Sequence, residues 1–212
     1  MRWRSRWAVI LLGFALPRSA SAHPTSLNMI PVADSMDAGT LRLEVELDGH
    51  ATPFASGAGW QVYGQYGLTD RLEVGLDVVD ANLDSEWQWN AKWQVMPESS
   101  DLPALAIGRL DANHRGLLDD WYAVLSKDVA CVRVHAGALR DGATRGMFGA
   151  EYWPGENTGV AADWTTGPGG YSSLGVYQHL GGGFWGTLYY ARGNSPDDGG
   201  FAGLNVLWEG RP

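Results

Sequence analysis

The chain carries a single cysteine, Cys131, in 212 residues, which excludes an intramolecular disulfide. Past residue 22 no apolar run approaches the about 20 residues that a membrane-spanning helix needs. The five histidines, His23, His50, His114, His135 and His179, stand at no metal-ligand spacing, and no acidic cluster completes a site. His23 is followed by Pro24, which has no backbone amide to offer a copper ion. No serine sits in a nucleophile elbow, although Ser126 and His135 fall on neighbouring strand-like segments. The glycine run Gly181–Gly186 lacks a lysine and opens no helix, so a tight turn explains it better than a phosphate loop. These absences set the expectation of a non-enzyme with no metal and no cofactor.

Positive charge is scarce as well. Arg2, Arg4 and Arg6 precede an apolar run, Ala8 to Leu16, and Ala20-Ser21-Ala22 is a small-residue cleavage site. Residues 1–22 therefore read as a signal peptide cleaved after Ala22. It takes four of the 15 basic residues with it (Arg18 is the fourth) and none of the 24 acids, moving the net charge from −9 to −13. A chain so acidic is not built for nucleic acid. With no disulfide, an exported chain of this size needs an extensive core or a closed sheet.

Glycine, at 29 residues, and tryptophan, at 11, point to many turns and many amphipathic strands. The stretch "EWQWNAKWQV", Glu86–Val95, puts Trp87, Trp89, Ala91, Trp93 and Val95 on one parity and Gln88, Asn90, Lys92 and Gln94 on the other. Thr40–Asp48 alternates in the same way. Further segments of this kind are Trp60–Tyr66, Arg71–Val78, Pro103–Leu110, Trp121–Ser126, Ala130–Ala138, Met147–Tyr152, Gly159–Thr165, Tyr171–His179, Phe184–Arg192 and Phe201–Trp208. Twelve strands result. Short turns follow most even strands and longer loops follow odd ones, the asymmetry of a transmembrane β-barrel. Trp60, Trp87, Trp121, Trp164, Tyr171, Tyr189, Tyr190 and Phe201 gather towards the long-loop end. Tyr152, Trp153, Phe184, Trp185 and Trp208 gather towards the short-turn end. Two aromatic belts suit two membrane interfaces.

The expected fold is all-β: a single closed antiparallel up-and-down transmembrane barrel of about 12 strands over residues 40–212. Residues 23–39 precede it as an N-terminal periplasmic segment. The polar parity then points inward, and the candidate lumen-lining residues are Arg42, Glu44, Glu46, Glu73, Asp77, Lys92, Arg133, His135, Glu151, Asp163 and Tyr177. Twelve tilted strands enclose a backbone diameter of roughly 25 Å, which side chains reduce to a small or closed bore. Such a set can line a narrow passage or fill the lumen as a salt-bridge network.

The stretches "YGLTDRLEVGLDV" (Tyr66–Val78), "AKWQVMPESSDLPALAIG" (Ala91–Gly108) and "SKDVACVRVHAG" (Ser126–Gly137) resemble bacterial outer-membrane β-barrel proteins. The chain is similar to small YjbH-like barrels associated with exopolysaccharide and to transporters of the MetA phenol-degradation type. The resemblance implies the outer membrane of a Gram-negative cell, with its lipid and its assembly machinery as partners. It further implies a narrow porin-like channel for small solutes, or a role accessory to surface polysaccharide export. A structural or adhesive barrel with a filled lumen is the alternative, and a lipid-active enzyme is a weaker third. Barrels of this kind finish on an aromatic residue; here Trp208 stands closest to the end, followed by Glu209–Pro212.

Overall fold

The computed structural model describes residues 26–50, 56–79, 86–110 and 120–212. Residues 1–22, expected as a signal peptide, and His23 fall outside them, as do most of three long loops. Twelve strands follow in order: β1 (Leu41–His50), β2 (Ser56–Thr69), β3 (Leu72–Val79), β4 (Glu86–Met96), β5 (Ala104–Arg109) and β6 (Trp121–Val129). Then come β7 (Val132–Asp141), β8 (Ala143–Tyr152), β9 (Thr158–Thr165), β10 (Tyr171–Gly181), β11 (Phe184–Gly193) and β12 (Gly200–Gly210). Each pairs antiparallel with its sequence neighbours, and β1 closes on β12 from Leu41↔Gly210 to His50↔Phe201. The fold is a single closed antiparallel barrel. Closure leaves no free sheet edge, so the backbone groups of every strand have partners on both sides.

Period-two patterning decides the faces. Trp87, Trp89 and Trp93 are 55%, 54% and 50% exposed, whereas Lys92, between them in sequence, is 3% exposed. The tryptophans therefore point out of the barrel and the polar parity points in. Leu43 and Val45, Leu174 and Val176, Leu188, and Leu204 and Val206 continue the exposed apolar band. In an ordinary water-soluble protein the exposed apolar patch is far smaller than this.

Three details differ from the pattern read along the chain. First, β2 runs from Ser56 to Thr69, longer than Trp60–Tyr66, because glycines in "SGAGW" weaken the alternation without breaking the ladder. Second, β7 and β8 run on to Asp141 and back from Ala143, so one residue, Gly142, joins them at the long-loop end. The charged Arg140, Asp141 and Arg145 read as a loop but continue the alternation at the rim. The sorting of loop lengths is thus incomplete. Third, the aromatic belts are thinner. Trp60, Trp87, Trp121, Trp164 and Tyr190 are exposed at the long-loop end, and Tyr152 and Phe184 at the turn end. Tyr171, Tyr189 and Phe201 share the inward parity instead. The Phe201 ring stands edge-on to Tyr171 at 5.2 Å and to Tyr189 at 6.0 Å. Trp153 and Trp185 meet edge to face at 5.7 Å, and Trp153 lies 5.9 Å from Tyr177.

The hydrophobic core of this barrel is its lumen. Leu27, Ile30, Val32 and Ala33 pack there against Ala104, Ala106, Tyr122, Val124, Met147, Ala161 and Tyr177. The segment before β1, expected as a periplasmic extension, therefore lies inside the barrel from Ser26 to Met36. The wall makes room for it with small inward residues. A Cβ on Gly149 would meet Leu27 at 2.5 Å, and one on Gly175 would meet Asn28 at 2.1 Å. Twelve strands enclose more volume than Ala and Gly can fill, so this side of the barrel needs an insert.

Candidate functional site

The inserted segment is anchored by hydrogen bonds, because its backbone lies away from water and must be satisfied. Its tip is a tight turn in which the Leu27 N–H donates to the Ile30 carbonyl over 2.9 Å. Asn28 Nδ2 donates to Ser173 Oγ at 2.9 Å, and Tyr177 Oη donates to Asn28 Oδ1 at 2.8 Å. The Met29 N–H reaches Asp163 Oδ2 at 2.9 Å and the Met36 N–H reaches Glu73 Oε2 at 3.0 Å. Gln94 Nε2 donates to the Ala33 carbonyl at 2.9 Å. These partners come from β3, β4, β9 and β10, so the segment bridges opposite walls of the lumen.

Ala33 also donates its N–H to Ser126 Oγ, 2.9 Å away. Ser126 Oγ lies 2.8 Å from His135 Nδ1, and His135 Nε2 lies 3.3 Å from Glu151 Oε1. Trp153 Nε1 donates to the other Glu151 oxygen at 2.6 Å. Serine, histidine and carboxylate in a row resemble a hydrolase triad, but the arrangement differs in two respects. The serine meets Nδ1 where a serine protease presents Nε2. Its oxygen is also covered by the backbone of the inserted segment, leaving Ser126 1% exposed. Here the row works as a tie between wall and segment.

Near the turn end Arg133 gathers three carboxylates: Asp34 at 2.7 Å, Glu98 at 2.6 Å and Asp128 at 2.8 Å. It thereby links the inserted segment, the β4–β5 connection and its own hairpin. Burial alone would raise the Glu98 carboxyl. Hydrogen bonds from Arg133, the Asp128 N–H and Lys127 outweigh it and hold that carboxyl below the ordinary carboxylate range.

The other half of the lumen holds a cavity. About 380 Å³ in volume, it lies between the tip of the segment, Ser26–Pro31, and the inner faces of β1 to β4, β6, β11 and β12. Glu44, Glu46, Asp48, Glu73 and Asp77 line it, and Lys92 is the one cation among the described lining residues. Period two on β1 aims Glu44, Glu46 and Asp48 the same way. The carboxylates are held in place: Asn205 Nδ2 donates to Glu44 at 2.5 Å and Asn90 Nδ2 to Asp77 at 2.7 Å. Tyr189 Oη donates to Glu46, and Tyr63 Oη lies 3.0 Å from its other oxygen. Lys92 Nζ pairs with Glu73 at 3.0 Å, both side chains almost fully buried. Arg42 pairs with Glu209, closing the β1–β12 seam from inside.

The eleven candidate lumen-lining residues thus divide into two groups of five, with Arg42 apart from both. Glu44, Glu46, Glu73, Asp77 and Lys92 line the cavity. Arg133, His135, Glu151, Asp163 and Tyr177 face the inserted segment or its ties, and Arg42 meets Glu209. The candidate set lacks Gln61, Tyr63 and Gln65, although "QVYGQY" puts them on one parity, and it lacks Asn205; Asn90 stood on the inward polar parity of β4 without being among the eleven. The set also lacks Asn28 and Asp34, which belong to no strand and carry no periodic signal. Among the described residues no group of His, Cys, Asp and Glu is arranged to hold a metal ion.

No family model matches the chain, and neither does any curated protein. Among solved structures the barrel is similar to the KdgM porin, with a TM-score of 0.55 at 6% identity, over 79% of this chain and 98% of that one. Looser likenesses are to a triple mutant of the Rh. blastica porin (TM-score 0.40, 16% identity, 71% of this chain and 55% of that one) and to Pseudomonas putida OprB at low pH (0.38, 13%, 79% and 62%). The chain spans little more than half the length of these two. The likeness to the KdgM porin is one of fold, and the chain is a twelve-stranded antiparallel barrel resembling bacterial outer-membrane porins.

Proposed function

We propose that the mature chain, released from its signal peptide after Ala22, sits in the outer membrane and forms a narrow passage for small polar solutes that favours cations. Outer-membrane lipid surrounds the exposed apolar band, and the assembly machinery of that membrane inserts it. The observation that carries this reading is the carboxylate-lined cavity inside a closed barrel with an apolar exterior. A fixed acidic wall inside a low-dielectric barrel concentrates cations and repels anions. The reading includes the resemblance to YjbH-like and MetA-type barrels, so a role accessory to polysaccharide export belongs to it. It includes no catalytic step.

The inserted segment favours a second reading, a structural or adhesive barrel whose lumen is filled. Residues 26–36 occupy one half of the bore, with bonds to several strands. Reversal potentials across a planar bilayer in a salt gradient separate the two. The channel reading expects a small conductance with cation preference. Anion preference contradicts it, and the lack of conductance in any state of the protein transfers the chain to the structural reading.

A further inference from the structure

The charges of this barrel are sorted by face. Among the strand residues whose side chains are described, every aspartate and glutamate points inward. The outward positions among them carry no carboxylate, although the chain as a whole is acidic. The outward positions do carry Arg109, Lys127, Arg140 and Arg192. Lys127 bends to the turn end, where its Nζ donates to the carbonyl of Ser100 at 3.1 Å. The three arginines all stand at the long-loop end: Arg109 closes β5, Arg140 is the penultimate residue of β7 and Arg192 the penultimate residue of β11.

Two of them form a row. Arg109 pairs across the ladder with Trp121, and Trp121 pairs with Arg140. Trp121 is 44% exposed between them. Two strand steps separate the arginine Cα atoms by about 10 Å, within reach of two guanidinium arms converging on one group. Arg109 and Arg140 also have interactions inside the protein. Each guanidinium carries five N–H donors, enough to serve a group inside the protein and a phosphate together.

We propose that Arg109, Trp121 and Arg140 form a binding site for the phosphate of a phosphorylated outer-leaflet lipid, with Arg192 as a second contact on the far side of the rim. The inference rests on the reading that the outer face meets lipid. Arginine at the midplane of a barrel is costly but costs little near an interface. There its planar fork matches a phosphate with two parallel hydrogen bonds. Trp121 supplies the amphipathic ring that favours headgroup depth, with its body against acyl chains. Removing carboxylates from this face removes the repulsion that would keep an anionic headgroup away.

The test uses the full mature barrel in dodecyl maltoside micelles doped with diphosphoryl lipid A, or with lipid A stripped of both phosphates. The phosphorylated lipid is expected to raise the unfolding temperature more than the stripped lipid. That difference is expected to fall by at least half in R109Q/R140Q and by less in R192Q. Should the double variant fail to refold, R140Q alone carries the test with the same direction. Equal shifts from both lipids, or a difference that survives R109Q/R140Q, overturn the inference while leaving the barrel in its membrane. The same shift from inorganic phosphate alone assigns the arginines to free anions and also overturns it. If neither lipid acts and the chain stays soluble and monomeric without detergent, the membrane reading itself fails.

Discussion

Removal of residues 26–36 from the mature chain is expected to raise its single-channel conductance several-fold and leave the barrel folded. Leu27, Ile30, Val32 and Ala33 fill the lumen opposite β5 to β10, where the wall offers Ala104, Ala106 and Ala161. Those side chains are too small to refill the space, so deletion joins it to the existing cavity. The ladder is closed without the segment, β1 on β12, and owes no strand pairing to it. What the deletion costs is lumen packing and partners of Glu73, Gln94, Ser126, Arg133, Asp163, Ser173 and Tyr177, polar groups that entering water can hydrate. Folding is followed by gel migration before and after boiling, and conductance in a planar bilayer. A folded deletion variant that conducts no better than the full chain would show that the segment does not close the bore.

Lys92→Met is expected to cost about 3 kcal/mol of barrel stability, the low end of the range for breaking a buried pair from one side. Lys92 and Glu73 meet at 3.0 Å with side chains 3% and 5% exposed. Methionine keeps the length of the side chain and leaves Glu73 as a buried carboxylate with the Met36 N–H still on one oxygen. The nearby cavity admits some water, which holds the cost to that low end. The double variant Lys92→Met, Glu73→Gln is expected to recover most of the loss, because replacing both charges is often near neutral. Urea unfolding in micelles measures both. A single-variant loss below roughly 0.5 kcal/mol would place the pair in effectively solvated surroundings, as for an exposed ion pair.

The wall of the barrel was legible because its signal is local. Trp87, Trp89 and Trp93 alternate with Gln88, Asn90 and Lys92, and a two-residue period admits only two facings. Which face meets the outside followed from the barrel reading, since a soluble sandwich would bury the same tryptophans, and their exposure in the structure agrees with it. Strand ends were less legible: "SGAGW" hid the start of β2, and Arg140 and Asp141 resembled a loop because rim residues are polar. The aromatic belts were read by height alone, and parity then turned Tyr171, Tyr189 and Phe201 inward. The inserted segment was the largest omission. Leu27, Ile30, Val32 and Met36 follow no period, and the partners of this stretch lie up to 149 residues away, as between Asn28 and Tyr177. A signal was present on the other side of the contact. Ala104, Ala106, Gly149, Ala161 and Gly175 all hold inward positions, and an inner wall that small requires something else to fill it.

The central claim is that the tryptophan face of β4 meets lipid while the adjacent parity meets the lumen. A fluorescent probe on cysteine at position 91 or 90, with the exposed Cys131 replaced, reports on neighbouring residues that face opposite media. Ala91 shares the outward face of Trp89 and Trp93, and Asn90 borders the cavity beside Asp77. In reconstituted vesicles a lipid-soluble quencher is predicted to reach the probe at position 91 and not the probe at position 90. A probe at position 91 shielded from that quencher would make the tryptophan face an ordinary protein core and contradict the account.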